Sequence, residues 1–337
     1  MRTFAFIVNP VTIKQLKNSW PALKLVPDFL LAPSLKNLPP FKVLAIKKIR
    51  SVQGKEISGY FIISTRLPKE TEELREEGVI DRIVGAHHIA ERLEAKILGI
   101  DARASMLTYK GYSIIKKLKI PFTTGSAFTA WSIFEAIYRI VRVKKLNLKE
   151  YTLAVINATN PVGKLCTRKL ADYAGKIIVT SPHRDRLEYL KETIANVSPV
   201  EVIIEEDANN AVRNANIVIN MNDSCKQTFA IGELKPDTIL CNLASNNMMN
   251  RVKFRQDITV IKTGLVKLPF LDKAGINSEL PKNIILASLA ETMLLSLEDR
   301  FINYSFGEDI NPDKLEEIAD IAMQHGFEVW LPEAPVL

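Results

Sequence analysis

The sequence predicts an α/β protein. An amino-terminal α/β domain precedes a doubly wound, parallel-sheet domain, and carboxy-terminal helices pack back on the first domain. Three observations predict this. From Tyr151 onward, apolar runs recur at "TLAVIN", "KIIVTS", "VEVIIEE", "NIVINM", "TILCNLA" and "ITVIKTG", with helical segments between the early ones. These runs are apolar on both parities, as strands covered on both faces of a parallel sheet must be. Before Tyr151 β-rich runs mix with amphipathic ones, and after Pro281 only helical pattern remains. At 337 residues the chain suits domains of ordinary size, with boundaries read at 1–148, 149–280 and 281–337.

Taken in order, "TFAFIVNP" reads as a strand followed by a short helix near Ile13 to Lys17. "FKVLAIKKIRS" and "EISGYFIISTRLP" flank "VQGK" and read as a hairpin. Leu74, Ile80, Ile83, Val84, His87 and Ala90 fall near helical spacing, which predicts a helix from about Lys69 to Ala95. "AKILGID" reads as a buried strand, "YKGYSIIKKLK" as a helix, "IPFTTG" as a strand and turn, and "SAFTAWSIFEAIYRIVRV" as an apolar helix. In the tail, "IILASLAETMLLSLEDRF" is one helix and "NPDKLEEIADIAMQHG" another. The latter has Asn311 as N-cap, Pro312 at the first helical position and Gly326 past the end.

Hydrophobic content of 47% with 25% charged residues is globular composition. The three cysteines, Cys166, Cys225 and Cys241, are odd in number and far apart. That fits a reducing compartment and excludes a disulfide framework or a paired CxxC site. No metal site is expected. The opening "MRTFAFIVNP" is broken too early to be a signal peptide, and no run is long enough to span a membrane, so the protein is expected to be cytoplasmic. The net charge of +7 is spread out except in "RIVRVKKLNLK" (139–149), where five basic residues close an apolar helix. Cations favour that end of the helix dipole, and no nucleic-acid partner is expected.

The stretch "VINATNPVGKL" (155–165) has the outline of a strand–turn–helix that seats a dinucleotide pyrophosphate. In that fingerprint the first glycine permits a tight turn, the second lets the backbone approach the phosphates, and the third allows close helix–strand packing. Here the seven positions are Asn157, Ala158, Thr159, Asn160, Pro161, Val162 and Gly163, and only the last glycine is kept. Asparagine tolerates positive φ best among residues with side chains, so the turn can still form. Its side chains add bulk where phosphate should approach, and Pro161 removes an amide donor.

The end of the second strand reports which cofactor is preferred. An acid there would hold the ribose hydroxyl of NAD. The chain instead offers Thr180, Ser181, His183, Arg184 and Arg186. Hydroxyls and guanidinium groups suit a 2′-phosphate, which favours NADP(H) over NAD(H). Thr263 and Gly264, closing the last strand, complete the candidate cofactor residues.

At "FTTGSAFTAWSIFEAI", "TLAVINATNPVGKL" and "LASLAETMLLSLEDRFINYSFGEDI…HGF", the sequence resembles the long-chain acyl-(acyl-carrier-protein) reductases of cyanobacteria. It is similar also to their relatives, the predicted amino-acid or shikimate-dehydrogenase-like dehydrogenases. The resemblance covers essentially the whole chain. It implies a Rossmann domain binding NADPH, a cleft between domains for an acyl thioester, and a cysteine that attacks the thioester before hydride releases an aldehyde. An acyl carrier is the implied partner.

This chain departs from that pattern at the implied site. The cysteine belongs to an "A-C-x-A-E" segment, and here "ASLAE" places Ser288 at that position. The "TTGN-x-x-T" turn keeps Thr123, Thr124, Gly125 and Thr129 but has Ser126 for the asparagine, and Phe128 stands where the relatives are polar. The "G-A-F-T-S" loop reads Asp101-Ala102-Arg103-Ala104-Ser105. Glu291 matches the implied glutamate one helical turn from Ser288. It is either a base or orienting group, or a buried carboxyl bonded to backbone.

Two readings follow. In one, the chain is an NADP-dependent oxidoreductase that reduces a small acyl or carbonyl substrate, with Ser105, Thr124, Ser126, Ser288 and Glu291 lining the site. In the other it is an inactive relative that binds a nucleotide or a partner. An oligomer is compatible with either.

Overall fold

The computed structural model describes residues 2–8, 17, 24–28, 39–63, 76–100, 112–221, 228–243, 255–270 and 280–331. The chain forms two compact units. The first comprises Met1–Phe128, Val266–Glu308 and Glu316–Glu328, and the second Thr129–Leu265, Asp309–Leu315 and Val329–Leu337.

The first unit opens with β1 (Thr3–Val8), β2 (Phe41–Arg50), β3 (Glu56–Ile63), α1 (Glu76–Arg92), β4 (Ile97–Ile100), α2 (Tyr112–Ile115) and β5 (Phe122–Thr123). The strands form one sheet in the order β2-β3-β1-β4-β5. The β2–β3 pair is antiparallel, as the hairpin reading requires, and the other pairs are parallel. Val79, Ile80, Ile83, Ala86 and Ala90 of α1 pack on Ala5, Ile7, Leu98 and Ile100. This is the helical spacing seen in the sequence, converted into burial.

Both α1 and α2 are shorter than expected. α1 is described from Glu76, the residues before it lying outside the described chain, and it stops at Arg92 instead of Ala95. Glu94 turns left-handed (φ 55°), and the Ala95 amide reaches back to the Ala90 carbonyl at 3.0 Å, closing the helix. α2 ends at Ile115, where the Lys117 and Leu118 amides turn back to Ile114 and Ile115 three residues before them, and the next two amides, of Lys119 and Ile120, donate to the buried His87 ring. The short helix expected near Ile13 lies outside the described residues apart from Lys17.

α3 (Ser126–Val143) begins in the first unit and continues in the second. There follow β6 (Thr152–Ile156), α4 (Pro161–Leu170), β7 (Lys176–Thr180), α5 (Arg184–Ala195), β8 (Glu201–Ile204), α6 (Ala208–Arg213), β9 (Ile217–Asn220), β10 (Ile239–Asn242) and β11 (Thr259–Lys262). All six expected strands are present, in the order β8-β7-β6-β9-β10-β11, and every pairing is parallel. That is the doubly wound order, with its switch point between β6 and β9. Ala154, Ile156, Ile178, Val218 and Leu240 are buried against Ala211 and Val212 of α6.

There follow β12 (Leu265–Lys267), β13 (Ile284–Leu286), α7 (Ala287–Leu297), α8 (Asp313–His325) and β14 (Glu328–Val329), which belong to the first unit except for Leu265, Asp313–Leu315 and Val329. The strands form a small sheet in the order β13-β12-β14. The expected helix "IILASLAETMLLSLEDRF" is therefore corrected: Ile284–Leu286 is a strand, and the helix starts at Ala287. The β-branched pair Ile284 and Ile285 fits a pleated edge better than a helix turn. All eleven residues of α7 are buried. Among the described residues no helix is long and apolar enough to cross a membrane.

Candidate functional site

In the first unit, β5 runs directly into the turn Thr124-Gly125, which starts α3. Gly125 has φ +72°, and a Cβ added there would stand 2.2 Å from the Ser288 Cα. Only glycine allows both the left-handed backbone and this approach to α7. The contact brings the turn against Ser288 and Glu291.

Glu291 is fully buried. One carboxyl oxygen accepts from the Thr123 hydroxyl, and the other accepts from the Phe128 amide at 2.8 Å. Phe128 lies in the first turn of α3, whose amides have no partner within the helix. The carboxyl therefore caps α3 from outside. Ser305 is also buried, and its backbone is left-handed (φ 42°). Its Oγ accepts from the Ala127 amide at 3.2 Å, and its carbonyl accepts from the Thr124 hydroxyl. Because the single Thr124 proton goes to that carbonyl, Ser126 must be the donor in the 2.7 Å Thr124–Ser126 contact. The Asn303 side chain and the Tyr304 amide hold β5 by bonds to Phe122, at 2.9 and 3.0 Å.

Thr124, Ser126, Ser288 and Glu291 are thus brought together, while Ser105 lies outside the described residues. Asn303 and Ser305 were not singled out by sequence reading. Their signal was the "FINYSFGEDI" block, whose resemblance was visible without any role attached.

Ser288 is 4% exposed, and no histidine bonds to it among the described residues. His87 Nε2 takes two amides, His88 pairs with Glu91 at 3.0 Å, His325 pairs with Glu298 at 2.6 Å, and His183 is exposed. A serine without a base is a poor nucleophile but a competent hydrogen-bond donor. Tyr304 donates to Glu317 at 2.7 Å, and burial drives its phenol well above the usual range, so it stays neutral. Cys166 and Cys241 are fully buried. Burial pushes the Cys241 thiol up to about 12, and Cys166 is raised further, partly through Cys241. Neither can supply a thiolate.

His87, His88 and Glu91 stand close enough to suggest a metal site. The hydrogen bonds argue otherwise. His87 Nε2 accepts from the Lys119 and Ile120 amides at 2.9 and 3.0 Å. Its proton must then sit on Nδ1, which faces Glu91 at 3.6 Å and is closed to a cation. Burial lowers the His87 pKa, against the pull of Glu91. A depressed histidine lends stability that is complete above its unfolded value, about 6.5, and drains away as pH falls toward the folded value. We expect stability to fall by up to about 1.4 kcal/mol per pH unit below that point. Denaturant titrations across this range should show the slope flattened in His87→Gln; an unchanged slope would refute the assignment.

In the second unit, Asn157 follows β6 with φ 62°, taking the left-handed geometry of the first fingerprint glycine. A Cβ on Gly163 would lie 2.9 Å from the Ala158 carbonyl oxygen, so the third glycine's packing role is retained. Asn160 is the N-cap of α4 and Pro161 its first residue. Asn160 Oδ1 accepts from the Gly163 amide at 2.7 Å, and its Nδ2 donates to the carbonyls of Asn157 and Met221 at 3.0 and 3.2 Å. Thr159 and Ser181 share a 2.5 Å hydroxyl contact that ties the turn to the end of β7. Val162 is buried in the first turn of α4.

Strand order, Asn157 and Gly163 fit a dinucleotide; the Asn160 carboxamide holds an amide that a phosphate oxygen would use.

Thr180 closes β7 and its carbonyl accepts from the Ala158 amide at 2.9 Å. His183 precedes α5, and Arg184 and Arg186 lie in its first turn. Arg184 pairs with Glu206 beyond β8 and with Glu188 at 3.5 Å. Thr263 and Gly264 follow β11, three strands from β6, where Gly264 packs near Leu243. They share the carboxyl edge of the sheet but are not beside Asn157.

No family model matches the chain. The long-chain acyl-(acyl-carrier-protein) reductase of Synechococcus elongatus is 24% identical to it over 300 residues, covering 83% of this chain and 85% of that one. The chain is reductase-like in sequence. It is also 23% identical over 306 residues to aminotransferase PigE of a Serratia species, covering 88% of this chain and only 35% of that protein. Among solved structures, L-tryptophan dehydrogenase from Nostoc punctiforme aligns with 96% of this chain and 79% of its own, at 11% identity and a TM-score of 0.43. That likeness is too loose to transfer activity.

Proposed function

We propose that the protein is an NAD(P)-dependent oxidoreductase acting on a carbonyl or acyl group. The observation that carries this reading is the parallel sheet with a left-handed turn and a helix N-terminus at its switch point. The similarity to a reductase over most of the chain supports it. A bound nicotinamide would supply the hydride. Asn157, Thr159, Val162 and the start of α4 would hold the pyrophosphate, and Ser181 with Arg186 would meet the adenosine ribose. The lack of an acid at the end of β7 favours NADP(H). Substrate recognition is assigned to the first unit.

There, Thr124 and Ser126 are committed to each other and to Ser305. They position the turn, and Ser288 is the hydroxyl that polarises a substrate carbonyl. An acyl carrier is the natural bearer of an acyl substrate for a chain resembling such a reductase.

The test is calorimetric titration with NADPH and NADH, followed by turnover of aldehydes, alcohols and acyl thioesters. NADPH should bind more tightly than NADH. Ser288→Ala should lower kcat about a hundredfold, the worth of one transition-state donor, with the NADPH Kd unchanged. Absence of binding to either nucleotide by folded protein would sink this reading.

It would favour the second reading, a non-catalytic nucleotide- or partner-binding relative. Two observations speak for that alternative: no histidine bonds to Ser288 among the described residues, and the Gly163 amide is already capped.

A further inference from the structure

We propose that Asn160 is the phosphate turn's own occupant and sets how tightly the second unit takes a dinucleotide. This rests on the cofactor reading above. In the fingerprint the corresponding residue is glycine, because the backbone there must approach the pyrophosphate. Here the first turn of α4 is short of donors: Pro161 has no amide hydrogen, and the Gly163 amide is bound to Asn160 Oδ1 at 2.7 Å. Val162 is the remaining position.

The other end of the same side chain spans the switch point. Asn160 Nδ2 donates to Asn157, just beyond β6, and to Met221, just beyond β9. Those two strands are the ones whose divergence opens the crevice in a doubly wound sheet. Both carboxamide hydrogens and one oxygen lone pair are thereby matched, and the residue is only 2% exposed. A neutral carboxamide oxygen on a helix N-terminal amide takes the place of a phosphate oxygen in kind, though without its charge. A dinucleotide has to displace it and break three good hydrogen bonds to do so. The turn is held in shape without ligand, and affinity is spent in holding it.

The test is calorimetric titration of NADPH and NADH into the wild type, Asn160→Gly and Asn160→Ser. Glycine is an accepted N-cap and Pro161 still presets the helix start, so Asn160→Gly should fold; thermal unfolding checks this. The glycine variant should bind at least about tenfold more tightly than the wild type, the equivalent of one competing hydrogen bond. Asn160→Ser keeps a capping oxygen but cannot reach Met221, and should fall between the two. Binding by the variants alone would show that Asn160 closes the turn: it supports this proposal and sinks the cofactor reading for the wild type. Equal or weaker binding by folded Asn160→Gly, with wild-type binding measurable, overturns the proposal and leaves the cofactor reading standing. No binding by any of the three folded proteins overturns both. Should the glycine variant fail to fold, the serine variant decides alone: a gain supports the proposal, and no gain overturns it.

Discussion

Gly125→Ala should be the most damaging single substitution at the first unit's turn, costing roughly 3 kcal/mol or more. Two penalties add. The backbone at φ +72° is strained for any residue with a Cβ, and that Cβ would stand 2.2 Å from the Ser288 Cα. The obstacle is the backbone of α7, which cannot rotate aside, and α7 is buried along its whole length. The check is a denaturant midpoint compared with Gly54→Ala. Gly54 also has positive φ (+78°), but a Cβ there meets nothing within 4 Å. It should lose only the backbone part, about 1 kcal/mol. Equal losses at the two positions would show that the approach to α7 does not matter.

Glu291→Ala should cost about 3 kcal/mol, because two buried donors lose their acceptor at once. The Thr123 hydroxyl and the Phe128 amide would be left without it in a site closed to water. Glu291→Gln retains an oxygen for the Phe128 amide and should lose less than about half as much. Equilibrium unfolding of the three proteins separates these outcomes. If alanine and glutamine behave alike, the carboxyl is not capping α3, and its place beside Ser288 would call for a chemical role. If they differ as expected, Glu291 acts first on the shape of the turn.

Much of the fold was legible because its signals are local. The six strands of the second unit carry apolar residues on both parities, the pattern of a parallel sheet covered on both faces. α3 coincides with its predicted span because one apolar stripe runs through it without a breaker. The misreadings have tertiary causes. Past α2 the chain is held by His87, far away in sequence, which takes the Lys119 and Ile120 amides. Ile284 to Leu286 join a sheet whose neighbouring strand supplies the pairing that a one-dimensional pattern cannot show.

The candidate sites divide in the same way. The sequence by itself determined the α/β class, the strand–turn–helix at Asn157 to Gly163, and the coincidence of Ser288 with Glu291 on one helix. These follow from periodicity, from the backbone preferences of asparagine and glycine, and from fixed helical spacing. Only the tertiary structure decided what those groups are bonded to. It bonded Ser305 to the Thr124 turn, gave the Glu291 oxygens to donors from β5 and α3, and laid the Asn160 carboxamide across two strand ends. The physical reason is that a side chain's hydrogen-bond partners in a buried site come from segments distant in sequence, and a buried polar group must find them wherever the chain brings them.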